Sequence, residues 1–389
     1  MQQRKQRCVQ PVYVGRFACN GSQCAAKCCG RDWHVQMKET EYSKYSRLDT
    51  KEERDSITKG ICKNAQNGMY EFVHGENGYC SFLQKDYLCS LQKQFGDRIL
   101  PDVCAEYPRK TYQFPGVIRR ALCLSCPVAA ELALSDQRSM VFEETEISMN
   151  RPNYAIVADD AEKIHAISFF DLQDIGILLL QNRRYILRER LIMLGFFLDR
   201  ASEMIEQGQG QRISSLGFKY RAPDFKDYAK SLLRAVRPDP KKGYTFYIDM
   251  MRHMSEVMED NSEDTKKYLE LMGNIMENSE AELRFKKLYA PLAYMVENYL
   301  VNEYFLSICP CTVDGSFQIN YKIFMSLFKF LELTLFAIFY SKRNLTEKDI
   351  IDAVQWVSVR TNHYEGYENA MKEYIEKHDM GLLEFMSMI

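Results

Sequence analysis

Thiols are the groups in this chain with the most chemistry to offer. Cys19, Cys24, Cys28 and Cys29 fall within one short stretch ahead of Trp33, and Cys80 and Cys89 bracket a second. Cys104 opens the segment Cys104-Ala-Glu-Tyr107-Pro108-Arg109, and Cys126 stands directly before Pro127. Thiolates are the ligands that soft and borderline metals prefer, and four of them hold an iron–sulfur cluster. A spacing such as Cys24-x-x-x-Cys28 lets one loop supply two ligands, while the distant cysteines would staple separate segments together. Adjacent Cys28 and Cys29 point to opposite sides of an extended backbone, so one of them is expected to face a second site or the core. Only His34 and His74 lie near these cysteines, which disfavours a mixed zinc-finger ligand set and leaves all-cysteine zinc as the alternative metal. Cys8, Cys62 and Cys123 lie outside the paired spacings and read as core cysteines, and Cys309-Pro-Cys311 reads as packing or a turn.

The elements that must position these thiols divide sharply. Eleven of the thirteen cysteines lie at or before Cys126 in a chain of 389 residues, so the two parts are stabilised by different means. Residues 1–136 carry a formal charge of +5 and the remainder −7, with no clustered basic stripe in either, which argues against nucleic acid as a partner. No apolar run of signal-peptide length follows the basic N-terminus, so a cytoplasmic location is expected. Thiols stay reduced there, which favours metal binding over disulfides.

Residues 1–136 are turn-rich and aperiodic, and short helices are expected only at Lys38–Arg47, Ser90–Leu100 and Pro127–Leu134. Residues 137–161, with Pro152 and the acidic cluster Glu143-Glu144-Thr-Glu146, read as an extended linker. From 162 to 389 apolar residues recur at three- and four-residue spacing. Helices are predicted at Phe169–Leu180, Tyr185–Ile205, Asp224–Ala235, Tyr244–Met258, Asp264–Met276, Glu280–Phe305, Tyr321–Tyr340, Glu347–Val359 and Glu365–Lys377. The expected fold is therefore mostly α: a small, loop-rich, cysteine-rich domain followed by an all-α domain. The apolar stretch Ile323–Tyr340 is long enough to span a bilayer, but Lys329 and Glu332 share one face at its middle, so a buried helix is expected and not membrane insertion.

In combination the cysteine segments are familiar. Cys24-x-x-x-Cys28-Cys29 before Trp33, Cys80-x-Phe82-Leu83 before Leu88-Cys89, Cys104-Ala-Glu-Tyr107-Pro108-Arg109 and Leu124-Ser-Cys126-Pro127-x-Ala129-Ala130 resemble the bacterial flagellin lysine N-methylase family. The resemblance extends through Glu297-Asn298-Tyr299 into the helical C-terminus. It implies an S-adenosylmethionine-dependent methyltransferase that modifies flagellin lysines and is associated with a 4Fe-4S cluster. Carried over by motif, the candidate ligands are Cys19, Cys24, Cys28, Cys29, Cys80, Cys89, Cys104 and Cys126, eight for a cluster that needs four. Cys123 departs from the family pattern. The same layout also resembles small iron- or zinc-binding cysteine domains, so a non-enzymatic metal module is the competing reading.

The implied reaction needs a neutral amine in line with the methyl carbon and sulfur, and no radical. Radical enzymes that use this donor carry Cys-x-x-x-Cys-x-x-Cys, whereas here no cysteine stands three positions after Cys28. A glycine-rich strand-to-helix loop is absent as well, and Gly208-Gln-Gly210 reads as a helix stop. Tyr107 and Arg109 flank a rigid proline beside Cys104 and are the candidate donor contacts, Arg109 through a bidentate grip on a carboxylate or else a structural salt bridge. Trp33 is expected to cover the cluster.

Overall fold

Strands that apolar periodicity does not reveal organise the cysteine-rich part. The computed structural model describes residues 5–24, 28–30, 35–65, 67–148, 156–157, 168–222, 224–275, 279–311, 316–364 and 366–389. The chain forms two compact units, Met1–Ala129 with Glu143–Val157, and Ala130–Phe142 with Ala158–Ile389.

In the first unit β1 (Gln6–Pro11) runs parallel to β6 (Val117–Leu122), with Cys8 opposite Ile118, and β6 pairs antiparallel with β5 (Arg109–Phe114) around Pro115-Gly116. β7 (Phe142–Ile147) flanks β1, and β8 (Ile156–Val157) runs parallel to β5, giving the order β7-β1-β6-β5-β8. A second, antiparallel sheet joins β2 (Gln36–Met37), β4 (Tyr70–Phe72) and β3 (Ile61–Lys63). Four short helices accompany them: α1 (Glu39–Tyr42), α2 (Lys51–Thr58), α3 (Ser90–Phe95) and α4 (Asp102–Glu106). The expected helix Ser90–Leu100 breaks at Gly96, whose φ of +73° ends α3. Lys38–Arg47 likewise shrinks to α1 and one 3-10 turn at Tyr45–Arg47.

β5 and β6 escape a reading by alternation because charged residues occupy covered positions. Arg119 is buried, and Arg120 Nε donates to Thr111 Oγ1 at 3.1 Å. The acidic cluster of the expected linker is the edge strand β7. Its carboxylates meet the basic start of β1: Arg7 grips Glu144 through Nε at 2.6 Å and Nη2 at 2.7 Å, and Gln10 Nε2 donates to Glu143 at 2.9 Å. Opposite charges across a strand pair stabilise it and blunt the edge.

The second unit begins within α5 (Pro127–Leu134) and continues with α6 (Phe169–Leu180), α7 (Leu187–Glu206), α8 (Ser214–Arg221), α9 (Phe225–Ala235), α10 (Pro240–Val257) and α11 (Glu263–Ile275). It ends with α12 (Ser279–Tyr289), α13 (Ala293–Leu306), α14 (Phe317–Lys342), α15 (Glu347–Asn362), α16 (Tyr367–Lys377) and α17 (Leu382–Ser387). Every helix predicted after residue 162 is present; α8 and α17 are additional. The predicted Glu280–Phe305 is two helices, because Pro291 lacks an N–H and interrupts the ladder in a 3-10 turn at Ala290–Leu292. Gly208, with φ of +71°, stops α7 as expected, and Thr346 and Asp349 form the expected capping box of α15. Among the described residues α14 alone is long and apolar enough to cross a membrane, and 89% of its apolar window is buried inside the protein.

The segment 136–140 docks on the helices rather than linking to them. Asn298 Nδ2 donates to the Asp136 carbonyl at 2.9 Å, Arg183 Nη1 to that of Gln137 at 2.6 Å and Gln181 Nε2 to that of Met140 at 2.8 Å. Beside them Glu297, 2% exposed, accepts from Arg183 Nε and Nη2 at 2.9 Å each and from Arg190 Nη1 at 2.5 Å. Thus two residues of the Glu297-Asn298-Tyr299 segment clamp the start of the second unit, and Tyr299 is fully buried. Glu297→Ala would leave Arg190 charged, buried and unpaired, and we expect a loss of about 3–5 kcal/mol. Urea unfolding followed by far-ultraviolet circular dichroism reads this directly; an unchanged midpoint would refute the clamp.

Candidate functional site

The eight candidate cysteines separate into two neighbouring groups, both within the first unit. In one, Cys28, Cys29, Cys80, Cys89 and Cys104 gather beside a core that includes Met37, Tyr45, Phe72, Phe82, Leu91 and Leu100. The backbone sets their positions. Cys80 N–H donates to the Cys29 carbonyl at 2.8 Å, Cys80 also bridges to His74, Cys89 bridges to Leu83 and precedes α3, and Cys104 lies in α4.

Cys28 and Cys29 lie in a turn, so the alternation of an extended strand does not separate them: their thiols hydrogen-bond to one another. The Cys29 S–H donation favours the Cys28 thiolate and lowers its pKa, while Cys29 holds its proton and shifts up. Burial pushes the Cys80 thiol up to about 11 and Cys104 well above its usual range, and nearby thiols add to both shifts.

In the other group Cys126 faces Cys24 and Cys19. Burial raises Cys126 to about 11, opposed by the backbone N–H groups of Val128 and Ala129 in the first turn of α5. The Gly21 N–H donates to Cys19 Sγ at 3.4 Å. Cys24 and Cys28 therefore serve different groups, although their spacing would suit a shared metal.

Tyr107 stands between the groups. Its buried hydroxyl lies 3.1 Å from Ser125 Oγ and is shifted well up, first by burial and then by the thiols of Cys126, Cys123 and Cys28. Arg109 starts β5 and lays its guanidinium over the Phe17 ring at 5.2 Å; among the described residues it makes no ion pair. Neither Ser125 nor Phe17 carries a sequence signal of its own, because each is recruited by a partner distant in sequence.

Cys8 and Cys123 are buried as expected of core residues, and so is Cys309, whereas Cys62 is exposed on β3, a correction to its reading as a core residue. On so short an edge strand its side chain has no opposing layer to enter. Trp33 and His34 lie outside the described residues.

Among the described residues no three Cys, His, Asp or Glu side chains converge tightly enough to hold a metal ion. The donor chemistry nonetheless fits a thiolate-bound group, since Cys29, Cys80, Cys89 and Cys104 share one apolar patch, with Cys28 beside Cys29, in a unit with few other staples.

Thiol reactivity follows from this geometry. In chelator-treated, reduced protein at pH 7, iodoacetamide should label Cys28 first, because a lowered pKa leaves more thiolate at neutral pH than the usual value of about 8.5 allows. Exposed Cys19 and Cys62 should follow, and buried Cys8, Cys80 and Cys126 should come last. Cys29→Ala removes the donor that holds Cys28 as thiolate and should slow its labelling by about threefold or more. Time-resolved peptide mass mapping checks the order; Cys104 reacting ahead of Cys28 would contradict it.

Comparison with known proteins adds a relationship. The chain is 28% identical over 158 residues to a lysine-N-methylase of Salmonella typhimurium strain LT2, an alignment covering 40% of this chain and 39% of that protein. It is 27% identical over 158 residues to the lysine-N-methylase of Salmonella choleraesuis, and 29% identical over 141 residues to the flagellar biosynthetic protein FliU of Salmonella muenchen, covering 35% of this chain and 81% of FliU. The alignments thus span about two fifths of the curated lysine-N-methylases. No solved structure matches. Residues 173–389, more than half of the chain and most of its helical unit, match the FliB lysine N-methylase C-terminal domain, and the chain belongs to the FliB lysine N-methylase family.

Proposed function

We propose that the protein is a protein-lysine N-methyltransferase that takes its methyl group from S-adenosylmethionine, acts on flagellin in the cytoplasm and carries a 4Fe-4S cluster on thiols of its first unit. The family match over residues 173–389 is the observation that carries this reading. The name of the FliU relative supports a flagellar substrate.

The reaction forms a C–N bond from the lysine lone pair and breaks the C–S bond of the sulfonium, whose electron pair stays on sulfur; the nitrogen then loses a proton. The amine must therefore be neutral, against an ordinary pKa of about 10.4, so the rate should rise with pH until burial or a base takes over. Tyr107 and Arg109 are candidate donor contacts. For this role Tyr107 would exchange its bond to Ser125, while Arg109, resting on Phe17, keeps its polar edge available.

Cys28, Cys29, Cys80, Cys89 and Cys104 are the residues that would hold the cluster. When bound, it would supply a multi-point staple for segments that bury little apolar surface. Because burial keeps Cys80 and Cys104 protonated, loading must release protons and is favoured as pH rises.

Flagellin co-expressed with the protein should gain lysine mass in steps of about 14 Da, and a trideuterated donor methyl should arrive intact, without deoxyadenosine. Loss of deuterium would overturn the polar mechanism. Anaerobically purified protein should be brown, with absorbance near 400 nm, roughly, that bleaches on reduction. Cys80→Ser and Cys104→Ser should lower the iron content by more than about half, whereas Cys62→Ser and Cys309→Ser leave it unchanged. A colourless protein with stoichiometric zinc would refute the cluster and leave the methyl transfer to be judged on flagellin.

A further inference from the structure

Three arginines of this protein grip carboxylates by one particular edge. The Nε and Nη2 groups of Arg7 hold Glu144, those of Arg138 hold Asp136 at 3.0 and 2.8 Å, and those of Arg183 hold Glu297. Arg188, in the first turn of α7, presents the same two donors buried and without a partner among the described residues. A buried guanidinium edge left empty is costly, since hydrogen bonds to charged groups are among the strongest a protein makes.

Arg188 lies on α7, which packs on α14, and α14 packs in turn on α10 and α12. Two more buried donors have no partner among the described residues, the hydroxyls of Tyr247 on α10 and Tyr289 at the end of α12, and Tyr247 is completely buried. Glu332 on α14 acts electrostatically on Arg188, Tyr244, Tyr247 and Tyr289 alike. It pairs with Lys329, whose ammonium lies 5.2 Å from the Tyr244 ring centre and 6.0 Å from that of Tyr247. Glu189 and Glu282 also act on Arg188 and Tyr244, but Glu189 accepts from the Ile186 N–H at 3.1 Å and Glu282 from Lys286 at 2.6 Å, so the four N–H and O–H donors still have no acceptor among the described residues and suit one further anionic group. Glu332, with 27% of its side chain exposed, opens the group to solvent and can receive an ammonium.

We infer that Arg188 and Glu332, with Tyr247 and Tyr289, form a binding site in the helical unit for an α-amino-carboxylate, the carboxylate on the free edge of Arg188 and the ammonium on Glu332. Resting on the function proposed above, this ligand is the amino-acid end of the methyl donor; a free amino acid offers the same chemistry. Lys329 over the tyrosine rings demonstrates that those faces accept a cation.

Calorimetric titration of the full-length protein tests the site with two probes, S-adenosylhomocysteine and 5′-deoxy-5′-methylthioadenosine, which is a nucleoside thioether without the amino-carboxylate arm. Wild type should bind the first about tenfold more tightly or better, and Arg188→Lys and Glu332→Gln should reduce that preference to about threefold or less while leaving affinity for the second unchanged. Tyr247→Phe, which keeps the packing and removes one hydroxyl, should lower the preference by about twofold to fivefold and guards against a folding defect in the other variants. Arg138→Lys, whose guanidinium holds Asp136 outside both candidate sites, should leave it intact. Preference lost in Arg109→Lys but kept in Arg188→Lys would overturn the assignment while sparing the methyltransferase reading. Binding of L-methionine dependent on Arg188, with neither nucleoside bound, would uphold the site and sink S-adenosylmethionine as its ligand. No binding of S-adenosylhomocysteine or methionine would overturn the site, whatever the flagellin mass shows.

Discussion

A helix that is apolar on every side has no face it can leave in water, and α14 imposes that constraint on the second unit. Phe324, Met325, Phe328, Leu331, Leu335 and Phe339 of this helix are all buried, so other helices must enclose it. α7, α10, α11, α12, α15 and α16 all pack on it. Burial at roughly 25 cal/mol per Å² of apolar surface makes this enclosure the main source of stability there. Close packing then dictates small residues elsewhere: a Cβ at Gly176 would sit 2.3 Å from the Tyr304 hydroxyl, and one at Gly243 would sit 2.1 Å from the Met388 carbonyl oxygen.

Enclosure also explains why the polar groups of the helical unit are so specifically matched. Lys322 donates to the Met380 carbonyl at 2.6 Å, and Lys329 pairs with Glu332 on the same helix. Each is a cation inside an apolar bundle, tolerable only with a partner. Arg190 obeys the same rule through Glu297 and the Leu180 carbonyl. Arg188, on the same helix as Arg190, departs from it, and a buried guanidinium edge without a partner among the described residues is where an anionic ligand is expected.

The first unit answers a different constraint. It has little apolar area, and two small sheets meet short helices around Phe72, Phe82 and Tyr45. Thiols occupy positions where a larger domain would place aliphatic side chains, and they raise one another's pKa because burial disfavours several thiolates together. A cation or cluster bound there would relieve that repulsion. Tyr107, hydrogen-bonded to Ser125, is acted on by thiols of both groups.

The amino-acid sequence by itself determined the helical unit: the three- and four-residue apolar spacing, the Thr346 cap and the Gly208 stop are local signals, and a helix closes its hydrogen bonds locally. It likewise singled out the eight cysteines that the fold gathers into two groups, since residue type and motif suffice to name candidates. Tertiary structure decided the rest. The strand Val117–Leu122 pairs with β1 from more than a hundred residues away, and Arg119 is buried where alternation would have placed it in water. The division of the cysteines into two groups runs against their spacing, because a turn at Cys28 and Cys29 and the return of the chain at Cys104 and Cys126 set which sulfurs meet. Arg188 and Glu332, far apart along the chain, carry no motif; only the packing of α7 on α14 sets the guanidinium in the field of that carboxylate.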